Sequence, residues 1–240
     1  MPTTQKTLMF LSGFLTSLGS VVVICSILGT QAWVTSTIFF TDVISNGTIV
    51  ITYGLFRGTS ARHLNEGLQD LDKNFEGFVF CTVHSPNVVL VLGTLGNSSQ
   101  KTLHLVAVIF LVLSLGTSLL SSVFTFYNSI SNPYQTFLGP TGVYTWNGLS
   151  ASFVFLTMVL FVGNTESNHL SEVLSQKFYP EVTNERATHT YGYSFWLVLL
   201  VIFLNIVTVV IIIFYQKARY QQKQEQKKPV EYASKDGILF

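Results

Sequence analysis

Ionisable side chains are missing where this chain is most apolar. Four runs, about 8–30, 103–127, 140–163 and 193–215, contain no Asp, Glu, Lys or Arg, and only 10% of the 240 residues are charged. Ionisable groups inside a bilayer mark ion and proton pathways. Their absence argues against a pump or a proton-coupled transporter, while a carbonyl-lined pore stays open. Cysteine is scarce as well, with Cys25 inside the first run and Cys81 outside all four. That excludes a disulfide framework. Cys25 is expected to behave as a small buried hydrophobe, and Cys81 as a free or buried thiol or one half of an intermolecular bridge. No Walker loop, Gly-x-Ser-x-Gly elbow or His-Glu-x-x-His helix appears. Cys81 and His84 make one pair of metal ligands without a second. No enzyme, metal or cofactor is expected, and a net charge of only +1 gives no basic footprint for nucleic acid.

Hydrophobicity is abundant: 48% of residues are hydrophobic, 20 are Phe, and the mean hydropathy is +0.46. Each run reaches the roughly 20 residues that cross a hydrocarbon core of about 30 Å. Backbone groups in lipid must be satisfied internally, so the runs are expected to be helices. The first follows Lys6, as in a signal peptide, but is too long for an h-region and has no Ala-x-Ala cleavage site after it, so it reads as a retained span. A fifth candidate, 78–96, is interrupted by His84, Pro86 and Asn87. The expected fold is an all-α membrane protein, one tetraspan domain over 1–240. It comprises a four-helix transmembrane bundle and a small antiparallel β-sheet formed by the first extracellular loop.

The stretch 128–149 lacks charge and carries Pro133 and Pro140, which force the residues before them out of helical geometry. It predicts a compact turn over 128–139. The second span ends near Tyr127, and Pro140 sits in the first turn of the third, where its missing N–H is not needed.

Two N-glycosylation sequons, at Asn46 and Asn97, both fall between the first and second spans. The tail 216–240 is rich in Lys and Arg, whereas the connection 164–192 is rich in Glu. Cytoplasmic flanks are enriched in Lys and Arg. Both termini and the 128–139 turn are therefore expected in the cytoplasm, with 31–102 and 164–192 outside. A multi-pass protein reaching the plasma membrane by the secretory pathway follows.

Within the long outer loop, Trp33–Phe40 and Thr48–Phe56 are rich in β-branched and aromatic residues around Asn46-Gly47, and predict a strand pair. A second pair is expected at 78–83 and 88–92 across Ser85-Pro86-Asn87, giving about four strands. The charged section 59–76 reads as a short helix or a mobile segment. Among the spans, Ser12, Thr16 and Ser20, and again Ser114, Ser118 and Ser122, recur every four residues. Such faces allow close helix approach in lipid, within the bundle or between copies. His104 is expected at a wet outer boundary, and Asn205 in a hydrogen bond to another helix.

Several pieces together resemble the clarin family of four-span membrane proteins. They are Gly29-Thr-Gln-Ala-Trp33, Tyr53-Gly-Leu-Phe-Arg-Gly58 and the segment Tyr127-Asn to Tyr144 with its Pro133, Gly139, Pro140 and Gly142. His169-Leu-Ser-Glu172 and Ser194-Phe-Trp196 complete the set. Clarins are in turn distantly similar to the claudin and peripheral-myelin-protein superfamily, whose first outer loop carries Trp…Gly-Leu-Trp…Cys…Cys. Trp33 and Gly54-Leu55-Phe56 fit that pattern loosely, and the paired cysteines are absent. The resemblance implies a tetraspan bundle capped by a sheet, and a role in organising membranes and actin-rich surfaces in sensory or epithelial cells.

The tail offers two binding signals. Lys217, Arg219, Lys223, Lys227 and Lys228 follow the fourth span, where basic residues attract anionic lipid by about 1 kcal/mol each; a plain stop-transfer flank has the same composition. The terminal Ile238-Leu239-Phe240 has the alternate apolar positions of a ligand that adds as a strand to a PDZ scaffold. The expected function is a non-enzymatic organiser of membrane contacts or partner membrane proteins, weakly self-associating or assembled with others in the bilayer. The alternative is an auxiliary subunit or pore component that modulates ion conduction.

Overall fold

A computed structural model describes residues 3–41, 46–64, 69–76, 95, 99–130, 139–180 and 184–236. Four helices in it are long and apolar enough to cross a membrane: α1 (Thr3–Gly29), α2 (Ser99–Ile130), α3 (Pro140–Glu166) and, after the short α4 (Leu170–Phe178), α5 (Tyr193–Asp236). The expected fold class holds. Pro140 is the first residue of α3, and Gly142 N–H donates to the Gly139 carbonyl in that first turn (3.0 Å). Two boundaries move outward. The incoming helix α2 continues past Tyr127 to Ile130, and α5 continues through most of the tail to Asp236.

Five strands form one antiparallel sheet: β1 (Val34–Thr41), β2 (Asn46–Tyr53), β3 (Arg57–Leu64), β4 (Gln69–Glu76) and β5 (Asn184–Tyr191), in the order β4-β3-β2-β1-β5. The first strand pair appears where the β-branched and aromatic runs placed it. In the section 59–76, the described residues 59–64 and 69–76 are strand rather than a helix or a mobile segment, and belong to β3 and β4. Its own pattern is polar on both faces, and it is strand because it pairs with β2, the kind of context that overrides local propensity. The proposed pair at 78–83 and 88–92 lies outside the described residues. The fifth strand and α4 come from the connection 164–192, which the sequence reading left without structure.

Contacts divide the chain into two compact units, and all four long helices contribute residues to both. The sheet unit comprises Val22–Leu115 and Ser152–Ile202. Alternation along its strands buries Val34, Ser36, Ile38 and Phe40 of β1 with Ile49, Ile51 and Tyr53 of β2. The opposite face presents Thr35, Thr37, Thr52, Thr59, Thr188 and Thr190, partly or fully exposed. The buried face joins a continuous apolar core with Ile24, Ile27, Trp33, Phe161, Leu170, Leu174 and Val198.

The terminal unit comprises Met1–Val21, Gly116–Ala151 and Phe203–Phe240. Its apolar cluster is small: Phe10, Val143, Ile212 and Tyr215, with the Phe10 and Tyr215 rings edge to face at 4.7 Å. The remaining buried positions are mostly hydroxyls and amides. On α1 the inward residues are Phe10, Gly13, Ser17 and Ser20, three or four apart as one helix face requires. The expected stripe of Ser12, Thr16 and Ser20 is therefore rotated: Ser12 is exposed and returns its hydroxyl to the Met9 carbonyl (2.9 Å). The α2 stripe survives, with Ser114, Ser118 and Ser122 all buried. Cys25 is exposed on α1 rather than buried, since position 25 falls on the opposite side from Ile24 and Ile27.

Candidate functional site

Two constellations of polar groups stand out, one in each unit. In the terminal unit, hydrogen bonds link the four long helices in a closed circuit. Thr16 of α1 meets Thr208 of α5 (Oγ1 to Oγ1, 2.7 Å), and Asn205 Nδ2 of α5 donates to Ser150 Oγ of α3 (3.3 Å). Ser150 also bonds Ser118 of α2 (2.6 Å), and Asn147 Nδ2 of α3 donates to Ser121 Oγ of α2 (2.6 Å). The circuit closes from α2 to α1, where Ser129 Oγ donates to the Thr7 carbonyl (3.4 Å). Gly13 of α1 faces the side chains of Thr125 and Ile212, which a methyl there would meet in ordinary van der Waals contact. In lipid there is no hydrophobic force between helices, so small residues and interhelical hydrogen bonds specify the packing. Asn205 fulfils its expected role. Asn147 and Ser150 were not singled out in the sequence, although their i, i+3 spacing on α3, repeated by Asn205 and Thr208 on α5, puts each pair on one face.

The sheet unit has a junction where α1 passes into β1. Trp33 Nε1–H donates to the Ile27 carbonyl (3.1 Å), one of the acceptors a helix end leaves open, and its ring packs on Phe161 at 4.7 Å. Two glycines close over the same turn: a Cβ on Gly54 would strike the Thr30 carbonyl, and one on Gly192 the Ala32 carbonyl. His104 Nε2 of α2 lies 2.7 Å from the Leu55 carbonyl. A carbonyl only accepts, so the Nε2–H tautomer is present. His104 is thus a buried clamp on the Gly54-Leu55 turn, not the wet boundary residue expected.

Beneath the sheet runs a hydroxyl relay. Ser36 Oγ is 2.8 Å from His189 Nδ1 and 2.7 Å from Ser171 Oγ, and Ser171 Oγ is 2.9 Å from Tyr53 OH. It ties β1, β2, β5 and α4 together. Ser36 is fully buried, which keeps its oxygen from any substrate and gives the Ser–His pair a structural reading. Burial pushes the Tyr53 phenol above its ordinary range, with hydrogen bonds shared with Ser171, Thr165 and Ser36 pulling partly back. Tyr191 is raised by burial, then by its hydrogen bond to Glu166 (2.8 Å) and by that carboxylate's charge. Both phenols remain protonated, and Tyr191 OH donates to Glu166. Among the described residues no cluster of three or more His, Cys, Asp or Glu could hold a metal.

The residues chosen from sequence are scattered. Asn46 opens β2, paired with Thr41. Lys217, Arg219 and Lys223 are exposed on α5, and Lys227 and Lys228 continue the same helix. Asn97, Cys81, His84 and Ile238-Leu239-Phe240 lie outside the described residues.

The sequence has relatives among known proteins. A family model described as Clarin-2-like matches residues 4–212. Clarin-3 of Mus musculus is 80% identical over 240 residues, 100% of both chains, and Clarin-3 of Homo sapiens 70% over the same span. The chain belongs to the clarin family. Clarin-1 of Homo sapiens is a more distant clarin, 23% identical over 223 residues, 86% of this chain and 87% of its own. The clarin match includes the Trp33 junction, the Gly54-Leu55 turn and all four apolar helices, so a multi-pass membrane protein is established. In this clarin the Gly-Leu pair has a physical reason: a side chain at 54 would collide with the backbone leaving α1, and the carbonyl at 55 satisfies a buried imidazole.

Proposed function

We propose that this clarin is a non-enzymatic membrane organiser, with both termini cytoplasmic, the sheet outside the cell, and the plasma membrane as its destination. The observation that carries the reading is the closed circuit of uncharged hydrogen bonds joining all four long helices. Helices tied to one another without ionisable groups make a passive scaffold, whose connections and tail are left to engage partners. Carried in this way are the glycans at Asn46 and Asn97, anionic lipid at Lys217, Arg219, Lys223, Lys227 and Lys228, and a PDZ scaffold at Ile238-Leu239-Phe240. The link to actin-rich surfaces in sensory or epithelial cells follows from family resemblance.

Proximity labelling from the tail tests it, comparing the intact chain with one lacking residues 238–240. Loss of a scaffold set on truncation is the expected result. An unchanged neighbour set rich in channel subunits would favour the second reading, an auxiliary subunit or pore component. The polar interior of the terminal unit is the feature that supports that second reading, and current recordings in cells expressing the chain decide it. A glycosidase-sensitive mass step lost in Asn46→Gln or Asn97→Gln would put the first long connection outside; an epitope in that connection reached by antibody only after permeabilisation refutes this orientation.

A further inference from the structure

We propose that the buried interior of the terminal unit binds water, held by Ser17, Ser20 and Asn147. A hydroxyl on a lipid-embedded helix normally returns its proton to a carbonyl three or four residues back. Ser12, Thr16, Ser26, Thr125 and Thr208 all do so here. Ser17 and Ser20 do not: both are fully buried, three residues apart on the inward face of α1, and neither Oγ has a partner. Asn147 supplies an independent observation from α3. Its Nδ2 donates twice, to Ser121 Oγ (2.6 Å) and to the Val143 carbonyl (2.8 Å), and this fixes the amide orientation because a flipped oxygen would face that carbonyl. Its Oδ1 is then an acceptor, fully buried and unpartnered.

Two hydroxyls and one amide oxygen, with no ionisable group among them, suit a small neutral molecule that both donates and accepts. Water in protein interiors takes about three hydrogen bonds to such groups. A dehydrated cation would bring its charge into a site with no carboxylate to balance it. The inference is independent of the organiser reading, since a hydrated interior needs neither a partner nor a current.

The test is water-edited solid-state NMR of the full chain in lipid bilayers. Magnetisation transfer from water to Ser17, Ser20 and Asn147 is expected to build up several-fold faster than to Ser12 and Leu15, which share the unit but are exposed on α1. Ser12 controls for the hydroxyl itself. Transfer at Ser17 and Ser20 as slow as at Ser12 and Leu15 overturns the proposal. In S17A/S20A, fast transfer to Asn147 should fall, and its persistence unchanged would remove these serines from the site. Replacing Na⁺ by K⁺ should leave the three resonances in place; a shift would give the site to a cation and overturn the assignment to water.

Discussion

In the sheet unit, aliphatic and aromatic side chains surround a short hydroxyl relay; in the terminal unit, hydroxyls and amides occupy most buried positions around four apolar residues. Part of the difference follows from solvent, since the sheet unit also holds a stretch of each long helix, with Ile24, Leu111, Val154 and Val198 in its core. An open sheet edge is not tolerated in hydrocarbon, so the sheet stands in water, where burying apolar area drives association at about 25 cal/mol per Å². Helices surrounded by lipid gain nothing comparable from apolar contact, because the tails outside are as apolar as Leu. The terminal unit is therefore specified by short polar contacts, and its outward positions, such as Leu8, Leu15 and Phe203, can stay apolar and exposed.

The contrast breaks most sharply at Trp33. Trp33→Ala removes a fully buried ring and should cost about 3–5 kcal/mol, read as a large fall in thermal midpoint in nanodiscs. Gly54→Ala should follow at about 1–3 kcal/mol, because backbone rather than a movable side-chain end meets the new methyl. In the terminal unit, Ser150→Ala severs contacts to both Ser118 and Asn205, yet interhelical bonds in lipid average only about 0.6 kcal/mol. A Ser150→Ala loss matching that of Trp33→Ala would erase the distinction between the units.

The smallest effect at neutral pH comes from the phenols. Tyr53 and Tyr191 both have raised values in the folded chain, so the unfolded chain loses these protons first, near 10. Their contribution is complete below that pH and declines as pH rises toward their folded values. Thermal midpoints should therefore be flat in this respect from pH 7 to about 10 and fall above it. Tyr53→Phe combined with Tyr191→Phe should blunt the alkaline decline.

What the sequence made legible divides along the same line. Uncharged runs of spanning length announced four helices, and β-branched residues announced β1 and β2, because those signals are local. The strands β3 and β5 were illegible: Arg57–Leu64 and Asn184–Tyr191 are polar and become strands only through their partners. His104 misled because a histidine near a span end is ordinarily solvated; its burial depends on the Leu55 carbonyl, far away in sequence. Ser12 misled because a four-residue repeat drifts around a helix of 3.6 residues per turn, whereas Gly13, Ser17 and Ser20 follow it.

The position of β1 between β2 and β5 also sets a timetable. Its two neighbours arrive at very different moments of synthesis: β2 follows within a few residues, but β5 is distant, Ser36 and His189 being 153 residues apart. At roughly 5–20 residues per second, the unpaired edge of β1 waits on the order of 8–30 s for its second partner. Throughout that interval the nascent chain carries an open template for strand addition. A chaperone or a second nascent copy that reaches the edge first would compete with β5, so the yield of folded protein should depend on how quickly the last span is delivered.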